Sequence, residues 1–134
     1  EPTAGLDPEE RNRFLNLLAG IGESVVVILS THIVEDVADL CPRMAILAAG
    51  RIVGEGAPQQ LIDSLAGRVW RKLIAKGELD ACKAAHQVIA TRLQAGRTLV
   101  HVLADANPGE GFELARAGLE DVYFATLAAT RAAA

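Results

Sequence analysis

Residues 24–32 read "SVVVILSTH", a run of β-branched and aliphatic side chains with no polar alternation until its last three positions. An alternating strand has one wet face. A continuous apolar run reads instead as a strand buried on both faces, as at the centre of a parallel sheet lying under helices. The flanking sequence supports that reading. Upstream, Asp7 stands where an N-cap accepts a hydrogen bond from the backbone N–H of Glu9 or Glu10, Pro8 suits the first helical position, and Glu10 sits where a capping-box acid would. Phe14, Leu17, Leu18 and Ile21 then recur on one face of a helix that ends at Gly20 and Gly22. Downstream, a helix over 33–41 carries Ile33, Val37 and Leu40 on one face, with Pro42 just beyond its end. Helix, buried strand, helix is the order of a wound α/β sheet, in which ligands collect at the carboxyl ends of the strands. Ser30, Thr31 and His32 lie at such an end.

Beyond this unit the periodicity changes. "RMAILAAGRIVGEG" (43–56) predicts two short strands joined around Ala49 and Gly50, and "APQQLIDSLAG" (57–67) a short helix that begins near Pro58 and stops at Gly67. "RVWRKLIAK" suits a strand and "GELDACKAA" a short helix. "HQVIATRLQAGRTLVHVLADA" suits a hairpin turning at Ala95 and Gly96. "NPGEG" (107–111) is a turn-rich break, and 113–129 predicts a final helix with Leu114, Ala117, Val122 and Leu127 on its buried side. These signals divide the chain into residues 1–66 and a small α+β unit over 67–134.

Composition narrows the function. The 134 residues are 51% hydrophobic, enough for a core, and the formal net charge of -4 argues against a nucleic-acid footprint spread over the chain. Residues 1–66 hold 10 acids and 4 bases and residues 67–134 hold 7 acids and 9 bases, an asymmetry that again marks two units. Cys41 and Cys82 are too few for a disulfide framework and too far apart for a metal-type pair, so they read as small core residues of a chain in a reducing cytosol. No apolar run approaches the roughly 18 residues that span a bilayer, which leaves only a peripheral membrane role. Arg68, Arg71, Lys72 and Lys76 around Trp70 read as the solvated face of a strand.

"EPTAGLD" (1–7), followed a helix and a strand later by "STH" (30–32), resembles the nucleotide-binding subunit of ATP-binding cassette (ABC) transporters. The resemblance implies a P-loop ATPase cassette domain over 1–66, its C-terminal part, followed by the α+β appendage. It implies that Glu1 is the catalytic glutamate after the Walker B strand, that Gly5, Leu6 and Asp7 form the D-loop at a head-to-tail dimer interface, and that His32 is the switch histidine. It implies, too, that the chain starts in mid-domain. A γ-phosphate is hydrolysed by in-line attack of water, for which a carboxylate positions the water and a donor such as histidine steadies the phosphoryl charge. "ILAAGRIVGEGAPQQL" resembles the hairpin and short helix closing that domain, and "GLEDVYFATL" (118–127) resembles an ending found among ABC-2 type exporters.

The sequence departs from the family in having no G-x-x-x-x-G-K-[ST] loop, glutamine loop, "LSGGQ"-type signature or Walker B aspartate. The expectation is therefore that a longer parent is an ATPase using ATP and magnesium, coupled to transport, while these 134 residues alone neither bind nor hydrolyse ATP. The implied partners are a transmembrane permease and a second ATP-binding subunit, with no nucleic acid and a peripheral location on the cytoplasmic face of the membrane. An unpaired edge of the 25–30 strand would favour self-association. The competing expectation is a non-catalytic regulatory or dimerisation module whose activity lies in 67–134.

Overall fold

The chain's apolar run at 25–30 belongs to no sheet. In the computed structural model, which describes residues 1–134, α1 (Pro8–Gly22) and α2 (Val34–Leu40) flank that run and lead into a hairpin of β1 (Met44–Ala48) and β2 (Arg51–Gly56). Next come α3 (Pro58–Asp63), β3 (Val69–Ile74), one 3-10 turn (Lys76–Glu78), α4 (Leu79–Ala85) and a second hairpin of β4 (Val88–Gln94) and β5 (Arg97–Leu103). A two-residue strand, β6 (Glu113–Leu114), and α5 (Leu119–Ala132) complete the chain. The molecule is thus mixed α/β. Its strands form two antiparallel sheets, β1-β2 and β4-β5-β3-β6, and neither contains the parallel pair expected of a wound sheet.

The reason lies in hydrogen bonding. A central strand draws its partners from neighbours on both sides, and no strand of these 134 residues pairs with 25–30. Val26 and Ile28 are consequently 89% and 91% exposed.

Both hairpins turn as expected. Ala48 pairs with Arg51 and Gln94 with Arg97, leaving two-residue loops in which Ala49 and Gly50, and again Ala95 and Gly96, all have positive φ. That is the turn whose twist matches the twist of antiparallel strands. On β5 the pattern alternates, so Thr98, Val100 and Val102 face inward, and Val100 and Val102 are fully buried together with Val69 of β3.

The main apolar cluster joins Ile46, Leu65, Val69, Ile89, Ala115, Leu119 and Val122, with Val34 and Val37 of α2 packed against it. It therefore draws on both sides of residue 66. A second cluster of Ile74, Val100, Val102 and Phe112 lies between the larger sheet and the region of α4. α5 lies across β2, where a Cβ on Gly54 would come 3.4 Å from the Thr126 methyl.

Two helical expectations change. The last helix begins at Leu119, not at 113, because Arg71 and Trp70 pair with Glu113 and Leu114 and hold them in the sheet, while Asp121 accepts the Gly118 N–H at 2.9 Å and caps the helix there. In α1 the buried residue is Leu15, with Phe14 and Leu18 half-buried, whereas Leu17 and Ile21 face solvent. No helix is long and apolar enough to cross a membrane.

Candidate functional site

The loop that opens the chain and the segment after the apolar run meet across 31 positions of sequence. Glu1 Oε1 accepts the backbone N–H of His32 at 3.2 Å and also pairs with the His32 ring at Nδ1. Both side chains are open to solvent. The arrangement places a carboxylate that can hold or polarise a water beside a histidine that can donate a hydrogen bond. The two residues the sequence paired as catalytic are therefore neighbours.

The intervening loop is shaped locally. Gly5 has φ +79, the left-handed conformation that glycine adopts without strain, and it turns the chain towards α1. Asp7 then accepts the Glu10 N–H at 2.9 Å, so it caps α1, while Leu6 lies exposed beside it. Thr31 Oγ1 accepts the N–H of Ile33 at 2.9 Å, just ahead of α2. It steadies the entry to α2 without bonding inside its first turn.

A polar cluster that the sequence reading passed over stands behind this loop. Asp36 is 0% exposed. Its Oδ1 accepts Arg11 Nε at 2.9 Å and Arg11 Nη2 at 2.5 Å, and its Oδ2 accepts the hydroxyl of Thr3. Arg11 also reaches Asp39 at 3.5 Å. Hydrogen bonding to Asp36 holds the Arg11 guanidinium above its ordinary value, against the opposing effect of burial. Burial, and then the charge of Asp36, push the half-buried Cys41 thiol up as well; burial does the same for Cys82. A signal for this cluster was present. Asp36 falls between Ile33, Val37 and Leu40 on the apolar face of α2, where a carboxylate needs a buried partner.

A second cluster lies where α2 meets the larger sheet. A cavity of about 320 Å³ is lined by Val34, Arg92, His101, Leu119, Glu120 and Asp121 among others. His101 Nδ1 lies 2.6 Å from Asp121 Oδ1, and Arg92 pairs with Glu120. Burial pushes the Asp121 carboxyl up. The hydrogen bonds from His101 and the Gly118 N–H, with the charges of His101 and Arg92, outweigh burial and hold it below its ordinary value.

The sequence has no glycine-rich loop ending in lysine to cradle phosphates, and no three His, Cys, Asp or Glu side chains converge as metal ligands.

No protein-family profile matches the chain. Individual proteins do. It is 41% identical over 68 residues to the Nod factor export ATP-binding protein I of Rhizobium etli, covering 50% of this chain and 22% of that protein. It is 44% identical over 71 residues to the protein of the same name from Rhizobium meliloti, covering 50% and 20%. The methionine import ATP-binding protein MetN of Caulobacter vibrioides is 35% identical over 86 residues, covering 63% of this chain and 26% of MetN. The chain thus spans about a quarter or less of the length of these relatives. All three are ATP-binding proteins by name, two of export and one of import. Over half or more of its length, this chain is homologous to the ATP-binding proteins of ABC transporters.

Proposed function

We propose that this chain is part of the ATP-binding subunit of an ABC transporter, and that Glu1 and His32 act together on the γ-phosphate of ATP. The observation that carries the proposal is the contact of Glu1 with both the backbone and the ring of His32. In this reading the Glu1 carboxylate polarises the attacking water and His32 donates to the phosphoryl oxygens as their charge develops. Gly5, Leu6 and Asp7 lie at the interface with a second ATP-binding subunit. A transmembrane permease is the partner that converts closure of that dimer into transport, which puts the subunit on the cytoplasmic face of the membrane.

The phosphate cradle and magnesium ligands have to come from outside these 134 residues, so the 134-residue chain alone neither binds ATP tightly nor hydrolyses it. The direction proposed is export, supported by the ending "GLEDVYFATL" and by relatives named for Nod factor export. The test is Mg-ATP hydrolysis by the protein of the full reading frame with and without Glu1→Gln. Turnover falls by about 100-fold or more in the variant, the loss expected on removing a positioned base. Undiminished turnover defeats the proposal.

A further inference from the structure

We infer that Asp36 is the positioning residue that sets Glu1 against His32, with Thr3 and Arg11 as its two arms. The inference deepens the reading of Glu1 and His32 given above and rests on it. Three separate segments converge on this one carboxylate: Thr3 from the loop that carries Glu1, Arg11 from α1, and Asp36 itself from the helix that follows His32. Asp36 has no exposure and Thr3 only 4%. A buried carboxylate persists only where charged and neutral donors fill its lone pairs, and here the Arg11 fork takes one oxygen and the Thr3 hydroxyl the other.

The loop has little else to fix it. Its own backbone bonds are long, Ala4 N to Glu1 O at 3.3 Å and Leu6 N to Thr3 O at 3.2 Å. Side-chain hydrogen bonds tie residues 1–6 to the His32 side of the molecule in only two places, through Thr3 to Asp36 and through Glu1 to His32. The second of these is the solvent-open contact that does the chemistry. The first is buried, two residues from Glu1 and four from His32, so it holds the orientation of both while the exposed pair exchanges its partners with water and substrate. Arg11 fixes the carboxylate from α1, whose N-terminus the same loop enters through Asp7. Asp36 and Thr3 make no side-chain hydrogen bond to Glu1 or His32, and their effect on catalysis passes through backbone placement.

The experiment uses the full-length protein with Asp36→Asn, Thr3→Val and, as reference, Glu1→Gln. Thr3→Val keeps the shape of the side chain and deletes one hydrogen bond, so it remains informative if Asp36→Asn does not fold. A positioning role lowers kcat by about 10- to 100-fold in both variants, with KM for ATP within about twofold, because misplacement of reacting groups by an ångström has that cost. Hydrogen exchange measured on the same proteins rises at residues 3–6 and 32–33 and stays unchanged in β3 and β5. Lost turnover in Glu1→Gln with unchanged kcat in Thr3→Val and Asp36→Asn overturns the inference alone. So does a rise in exchange spread evenly over the protein, which marks a merely structural role. Retained turnover in Glu1→Gln overturns the functional reading and this inference with it.

Discussion

Residues 1–43 and residues 44–134 are held together by different forces. Of the 17 buried residues only Thr3, Leu15 and Asp36 lie in the first region, and two of those three are polar. The second region contains both apolar clusters apart from the half-buried Val34 and Val37, and all of the sheet hydrogen bonding. An apolar core is favourable in proportion to the area it removes from water and is indifferent to direction. A buried carboxylate with an arginine fork and a hydroxyl adds little net stability but admits one geometry. The comparison teaches that stability and site geometry are separated in this chain: the 44–134 region supplies most of the packing, and the 1–43 region places Glu1 and His32.

Substitution of leucine tests that division most severely. Leu119 is 5% exposed in the main cluster and Leu17 of α1 is 59% exposed. Leu119→Ala should lower the unfolding free energy in urea by about 2–5 kcal/mol, while Leu17→Ala changes it by less than about 0.5 kcal/mol. Equal losses at the two sites would erase the distinction between the regions.

Acid titration sharpens it, because each region contains a buried aspartate. Asp121 lies on the α5 side of the larger sheet and its carboxyl is held below the ordinary value of 3.8. A carboxyl depressed by folding contributes stability above its unfolded pKa, and that contribution is lost as the pH falls below 3.8 and through the folded value. Unfolding free energy followed by urea titration from neutral pH down past this range should therefore fall less steeply in Asp121→Asn than in the parent chain. Parallel curves for the two proteins would show that the His101 pair does not depress Asp121.

The smallest effect belongs to the hairpin turns. Ala95 has φ +49, a left-handed conformation that costs alanine about 1–2 kcal/mol and that asparagine adopts more readily. Ala95→Asn should stabilise the chain by about 0.5–1 kcal/mol, read as a higher midpoint in thermal unfolding. A lowered midpoint would mean that the turn is not of this type.

Local chemistry carried the sequence reading furthest. The Asp7 cap, the start of α1 at Pro8, the two Ala-Gly turns and the run of β3, α4, β4 and β5 depend on residues within a few positions of one another, so they were legible without a fold. The pairing of Glu1 with His32 was legible only because "EPTAGLD" and "STH" resemble a known pair of motifs, since 31 positions of spacing do not specify a contact. Asp36 was missed for the opposite reason. Its place beside Val37 and Leu40 on the apolar face of α2 pointed to burial, but a carboxylate in the first turn of a helix equally reads as a solvated residue favoured by the helix dipole, and its partners Thr3 and Arg11 come from elements the fold alone brings to it.

The clearest contrast is between residues 25–30 and β5, two stretches rich in valine and leucine. On β5 the inward residues alternate with outward ones, β3 and β4 lie on either side, and Val100 and Val102 lose all contact with water. At 25–30 the sequence determined an apolar run and nothing more. Whether such a run becomes a strand was decided by tertiary structure, because its hydrogen bonds can be completed only by neighbours, and these 134 residues provide none. The sequence by itself thus fixed the caps, turns and periodicities, which are settled by bonds within a few residues. Tertiary structure alone decided the burial of Asp36, the start of α5 at Leu119 and the fate of the apolar run, since each depends on groups brought together from distant parts of the chain.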